Sequence, residues 1–231
     1  MHDKAEDHLK LFVTEPSSPL GLKIPYWQWN SDILDFNEKE TCKFLLQTEK
    51  EIIKKHPPSA DGQVNLPHSL GARYKFFNFF KFEHPTAKVL QNFIRDNVKS
   101  FFKEFPKKFD TSHLAISCWY NVLRKWEKIG YHVHADNFNM GESFISGHLT
   151  VACEKTSTHY YSMCRKIHWE IKNIPGSLTL FPSYIPHETD VHQGEHPRIM
   201  IAFDIFFNKK CGPGEPLLKE GNILPFKVDD V

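Results

Sequence analysis

The chain has 231 residues, 40% hydrophobic and 14% aromatic, with 29 lysines and arginines against 28 aspartates and glutamates for a net charge of +1. This composition excludes a disordered chain and leaves no bulk electrostatic pull toward nucleic acid or an anionic membrane; it suits one large globular domain. The five cysteines are widely spaced and form no CxxC pair, which argues against a disulfide framework or a zinc ribbon.

The opening MHDKAEDHLK is charged and lacks an apolar signal core, and no run of about 18 apolar residues occurs anywhere, so a cytoplasmic protein is expected. KIPYWQWN, residues 23–30, reads as aromatic packing at the mouth of the core, with a substrate-recognition lip as the alternative. Asn37 with Glu40 three residues on predicts a helix start ahead of EKETCKFLLQTEKEIIKKH, where Phe44, Leu45, Ile52 and Ile53 recur near helical spacing. A second helix is predicted from Thr86 to about Glu104, with Val89, Leu90, Phe93, Ile94, Val98, Phe101 and Phe102 as its apolar stripe. After Ser112 the texture changes to short apolar runs: LAISCWYNVL, FISGHLTVAC, IHWEI, SLTLF and IMIAFDIFF read as strands separated by turn residues. Strands without intervening helical patterns predict a sandwich or barrel, hence a mainly β fold with N-terminal α elements, an α+β arrangement. Residues 1–231 are expected to form a single domain: a mixed helical part over 1–110, a β core over 111–210 and a tail over 211–231.

The chemistry-bearing stretch is GYHVHADNF, residues 130–138. In a strand His132, His134 and Asp136 share one face, and that face could hold a metal. The later histidines are His148, His159, His168, His187, His192 and His196, of which His187 is best placed. It follows GSLTLFPSYIP, and eleven residues further Arg198 opens the last strong strand. Two imidazoles and a carboxylate form the facial triad that leaves open positions on non-haem Fe(II). Arg198 offers the bidentate grip that a carboxylate co-substrate needs, although it could instead pair with Asp204 or cap a strand. HVHAD also matches the HxHxD of binuclear metallo-hydrolases, but Asn137 stands where that signature continues with His, and only 95 residues follow Asp136. A non-catalytic cupin-like protein with a relic metal site is the remaining alternative.

From about Trp119 to Phe206 the chain resembles the Fe(II)- and 2-oxoglutarate-dependent oxygenase superfamily, and within it a 2OG-Fe(II) oxygenase branch. The resemblance is carried by WYNVLRK, HVH, ISG, GSLTLFPSYIPH and RIMIAFDI, in that order. It implies a double-stranded β-helix of jelly-roll type and a dioxygenase that hydroxylates a C–H bond of a small molecule or an amino-acid residue, with release of succinate and CO2. It also implies Fe(II), 2-oxoglutarate, O2 and ascorbate as a reductant. Two registers compete for the first ligands, HxH on His132 and His134 or HxD on His134 and Asp136. The preferred set is His134, Asp136 and His187, with His132 as the alternative ligand. A third register would use His148 with His187 and no carboxylate. The chain departs from the pattern twice: ADNFNMGESFI makes a longer loop after His134, and Arg198-Ile199-Met200 replaces the common R-x-S. Either a hydroxyl from Tyr120 or Thr179 substitutes, or the co-substrate is bound differently. The implied partner is a small-molecule, amino-acid or peptidyl substrate, with no nucleic acid or membrane; nothing in the sequence indicates an oligomeric state.

Overall fold

The computed structural model describes residues 8–12, 26–57, 69–104, 111–134, 143–162, 168–207 and 222–228. Its centre is the run LAISCWYNVL, which forms strand β3 (Leu114–Leu123) and is buried at all ten positions. Burial on both faces is what a continuous apolar run predicts for a strand covered from two sides. β3 pairs antiparallel along its whole length with β9 (Arg198–Phe207), from Leu114 opposite Phe207 to Leu123 opposite Arg198.

Around this pair runs a seven-stranded antiparallel sheet. Its members are β1 (Leu9–Phe12), β2 (Tyr26–Asn30), β7 (Leu178–Pro182), β4 (Ile145–Ala152), β9, β3 and β10 (Ile223–Pro225), in the order β1-β2-β7-β4-β9-β3-β10. A smaller sheet, β6-β5-β8, is built from β5 (Ser157–Tyr161), β6 (His168–Lys172) and β8 (His187–Thr189). Tyr160, Phe181 and Ile185, flanked by Trp169 and Ile171, fill the space between the sheets. The two facing antiparallel sheets are those of a jelly roll, mainly β with a few helices, as the sequence pattern predicts.

The strands at β3, β4, β6, β7 and β9 fall within a residue or two of their predicted runs. The additional strands are β1, β2, β5, β8 and β10. KIPYWQWN contributes β2, and its tryptophans pack inward: Trp27 stacks on Phe101 at 4.6 Å, and Trp29 meets the same ring edge-on at 6.2 Å. That is the aromatic packing expected of the segment.

Helix α1 (Glu38–Lys55) begins as predicted: the Asn37 side chain accepts from the Glu40 backbone N–H at 3.1 Å, and the Glu40 carboxylate accepts from the Asn37 side-chain amide at 3.2 Å. Helix α2 (Pro85–Glu104) buries Leu90, Ile94, Val98, Phe101 and Phe102 of the predicted stripe. Val89 lies exposed instead, while Ala87 and Gln91 are buried. The Gln91 amide donates to the main-chain oxygens of Phe79 and Phe82, which explains a polar group on the buried side. Both helices cover one face of the large sheet, where Leu45, Ile52, Leu90 and Ile94 join Ile199, Ile201, Phe203 and Ile205 in one core. α1 is tied to the loop after β3 by Glu49, which is 1% exposed and takes both arms of Arg124, at 2.9 and 2.7 Å. Among the described residues no helix is long and apolar enough to cross a membrane.

Candidate metal centre

The pleat of β9 divides its residues between two environments. Ile199, Ile201, Phe203 and Ile205 face the helices, while Arg198, Met200, Ala202 and Asp204 line a cavity of about 260 Å³ between the sheets. Trp119 and Asn121 of β3, His148 of β4 and Phe181 of β7 contribute to the same cavity. Gly147 belongs to this wall because its neighbour strand lies so close. A Cβ there would come within 2.4 Å of Phe203 Cζ and 2.8 Å of Leu180 Cδ2.

His132, His134 and His187 meet at one end. His132 and His187 form a β-bridge, each amide donating to the other's carbonyl at 3.0 Å, and the His134 amide donates to Ser183 O at 3.0 Å. These bonds lay residues 132–134 along the edge of the smaller sheet and turn all three rings inward. One ligand atom from each ring lies within 4.8 Å of the other two, and His132 Nε2 is 3.2 Å from His134 Nε2.

The opposite ring nitrogens explain what the cluster can do. His132 Nδ1 lies 2.8 Å from Gly130 O, His187 Nδ1 3.0 Å from Ile185 O, and His134 Nδ1 2.6 Å from Asp204 Oδ1. A carbonyl or carboxylate oxygen only accepts, so each Nδ1 donates outward and Nε2 is the nitrogen left to face the cluster. Burial, aided by the neighbouring His134, pushes His132 down to about 4. Burial, then the other two rings of the cluster, pushes His187 well below the usual histidine range. Near neutral pH these two rings are uncharged, and protons do not compete for their lone pairs. Two uncharged imidazoles, His132 and His187, thus stand beside the ring of His134, a set that a cation would match, and imidazole suits iron, zinc and copper.

The other end of the cavity holds Arg198. It is 1% exposed, and among the described residues no carboxylate pairs with it. Its Nε donates to Thr156 Oγ1 at 3.2 Å, its Nη2 contacts Met200 Sδ, and its Nη1 has no partner. The contact with Met200, two residues on along the same face, folds the guanidinium back along β9 toward the histidines. Burial lowers its pKa to about 10, so it stays charged near neutral pH. An unpartnered charged donor in a buried cavity is a receptor for an anion. The residues present therefore fit both groups that the sequence resemblance implies, a metal ion at the histidines and a carboxylate at Arg198.

Of the sequence-nominated residues, His132, His134, His187 and Arg198 come together in this cavity. Asp136 lies outside the described residues. Tyr120 and Thr179 are not brought there. Tyr120 is on the opposite side of β3 from Trp119 and Asn121, and its hydroxyl donates to Leu45 O of α1 at 2.9 Å. Thr179 Oγ1 donates to Asn30 Oδ1 on the neighbouring strand at 3.3 Å. His148 lines the cavity outside the three-histidine cluster; its Nε2 is engaged by the Tyr160 hydroxyl. His159 pairs with Asp190 at 2.8 Å and with His168 at 3.0 Å, and His192 Nε2 lies 2.7 Å from His196 O. Among the described residues no second cluster of histidine, cysteine or acidic ligands joins the first, as a binuclear hydrolase would need. Sequence reasoning offered Asp204 only as an alternative partner for Arg198; its partners are His134 and Ser146. The available signal was its even spacing from Arg198 along β9, which places it on the cavity face.

Residues 117–204 match a family described as "Putative 2OG-Fe(II) oxygenase". No curated protein matches the chain. Among solved structures, a prolyl-4-hydroxylase from Pseudomonas putida is 8% identical with a TM-score of 0.51, the match covering 79% of this chain and 93% of that one. A viral collagen prolyl hydroxylase from Paramecium Bursaria Chlorella virus-1 is 11% identical with a TM-score of 0.48, over 77% and 94% of the two chains. A prolyl hydroxylase from Trichoplax adhaerens, in complex with a hypoxia inducible factor peptide fragment, is 14% identical with a TM-score of 0.49, over 78% and 83%. At 8% identity the likeness to the Pseudomonas putida structure is one of fold.

Proposed function

We propose that this chain, whose residues 117–204 match the 2OG-Fe(II) oxygenase family, is a hydroxylase whose Fe(II) sits on His132, His134 and His187 and whose 2-oxoglutarate is held by Arg198. The substrate is a small molecule or an amino-acid residue, hydroxylated at an unactivated C–H bond, with ascorbate as external reductant. The observation that carries this reading is the convergence of three imidazoles, each with its Nδ1 engaged by an acceptor.

Bound Fe(II), with 2-oxoglutarate and O2, supplies the oxidising equivalents that put one oxygen atom into the substrate and release succinate and CO2. The protein's own part is positioning. His132 and His187 hold each other in place through their shared bridge, so two donors are oriented by one backbone contact. Arg198 Nη1 receives the far carboxylate of the co-substrate, replacing an unmet buried donor by a charge-assisted hydrogen bond. Met200 brings sulfur where the common pattern has a hydroxyl, so the carboxylate rests on the guanidinium with one fewer oxygen donor. Trp119 stacks over His134 at 5.8 Å and Phe181 meets His187 edge-on at 4.8 Å, which keeps bulk water from the rings.

The test is anaerobic titration of apo-protein with Fe(II) and then 2-oxoglutarate, following the weak visible charge-transfer band of the chelate. The band is expected with wild type and Asp136→Ala, and expected to be lost in His132→Ala and His187→Ala. Loss in Asp136→Ala with survival in His132→Ala would transfer the third ligand to Asp136. Absence of a band from wild type would remove the co-substrate and the oxygenase reading with it.

A further inference from the structure

The three imidazoles differ in what receives their Nδ1 protons. For His132 and His187 it is a neutral main-chain oxygen, and for His134 it is the carboxylate of Asp204 at 2.6 Å. Asp204 is only 8% exposed, and among the described residues no lysine or arginine pairs with it. The same Oδ1 lies 2.6 Å from Ser146 Oγ, which lies 2.8 Å from Ser183 Oγ. Because the carboxylate only accepts, Ser146 donates to Asp204 and Ser183 donates to Ser146. Both serines are fully buried, so this chain of hydroxyls holds the carboxylate in one orientation.

A buried carboxylate is costly unless opposite charge compensates it, and a cation on the far nitrogen of the ring it holds would supply that charge. We propose that Asp204 is the positioning residue of the metal centre: acting through His134 Nδ1–H, it fixes that ring with its Nε2 toward the ion and supplies the negative charge that a three-imidazole ligand set lacks. The proposal rests on the ligand set given under Proposed function. Its physical basis is that a charged acceptor strengthens the Nδ1–H bond and makes Nε2 a better donor, the relation seen in carboxylate–histidine–metal arrangements. Asp204 is the only member of β9's cavity face that can do this, since Met200 and Ala202 carry no charge and Arg198 carries the opposite one.

The experiment is Co(II) binding to the full-length apo-protein, read by the visible d–d bands, with Zn(II) affinity measured by competition. Asp204→Asn keeps the size and an oxygen acceptor for His134 and removes only the charge. It is expected to weaken Co(II) binding by roughly tenfold or more and to shift the d–d bands. Ser146→Ala leaves the charge in place and should change affinity less than threefold, which separates charge from packing. Should Asp204→Asn fail to fold, Asp204→Glu, which restores the charge, must bind Co(II) within about fivefold of wild type. Asp204→Asn binding within twofold of wild type with an unchanged spectrum overturns the proposal, as does Ser146→Ala losing as much as Asp204→Asn. If His132→Ala, His134→Ala and His187→Ala all bind like wild type, the ligand set itself fails, a result recognisable apart from any Asp204 variant.

Discussion

The two ends of the cavity are unsatisfied in opposite senses. At the histidine end, ring nitrogens crowd together and, among the described residues, no lysine or arginine pairs with the buried carboxylate of Asp204. At the Arg198 end, a buried guanidinium has a hydrogen-bond donor with nothing to accept from it. Each end alone would be a costly defect in a folded core. At the two ends of one cavity, they would suit a cation and an anion bound together. The lesson is that the site shows itself through unmet valence as much as through residue type.

The largest test breaks the cation end alone. His187→Ala removes one ring from the cluster while keeping both main-chain bonds of the bridge, and is expected to lower metal affinity by more than about a thousandfold in an equilibrium Co(II) titration, roughly 4 kcal/mol. Arg198→Met breaks the anion end. Metal affinity should stay within a few fold, while 2-oxoglutarate binding to the metal-loaded protein, followed calorimetrically, should weaken about a hundredfold, close to 3 kcal/mol.

Acidification sharpens the contrast by giving the cation end a charge of the wrong sign. Burial holds His132 at about 4 and His148 at about 3, against the ordinary 6.5 that applies when the chain is unfolded. At pH 7 both are neutral in either state, and no stability is at stake. Below 6.5 the unfolded chain takes up protons that the folded chain refuses, so apo-protein stability falls as pH drops from 6.5 toward 4. Denaturant melts should show a progressive loss over that window, on the order of 5 kcal/mol for the two rings together. The smallest effect comes from behind the wall. Gly147→Ala forces Phe203 and Leu180 to shift, and should cost about 1–2 kcal/mol in thermal unfolding while both affinities stay within threefold.

Much of this was legible in the residues. The even and odd positions of RIMIAFDI already separate a cavity face from a helix face, and β3 and β9 are found where their apolar runs lie. His134, His187 and Arg198 follow from strand spacing, and His132 from the same rule as an alternative. Tyr120 fails on parity: Trp119 and Asn121 occupy the cavity side of β3, so Tyr120 faces α1. β5 was missed because STHYY is polar on one side, and β8 because three residues carry no period of their own. β1, β2 and β10 are invisible locally, since their strand character comes from long-range pairing to the sheet. Asp204 has a legible face but an illegible partner, because its neighbour His134 arrives from seventy residues away.

The bridge between His132 and His187 also bears on how the site comes apart. One reciprocal pair of amide bonds joins an edge segment to the smaller sheet and, in the same stroke, aligns two donor rings. Fraying of that edge and departure of a bound ion are therefore a single kinetic event. In hydrogen–deuterium exchange the amides of His132 and His187 should exchange in step, slow with metal added, and set the off-rate of the ion.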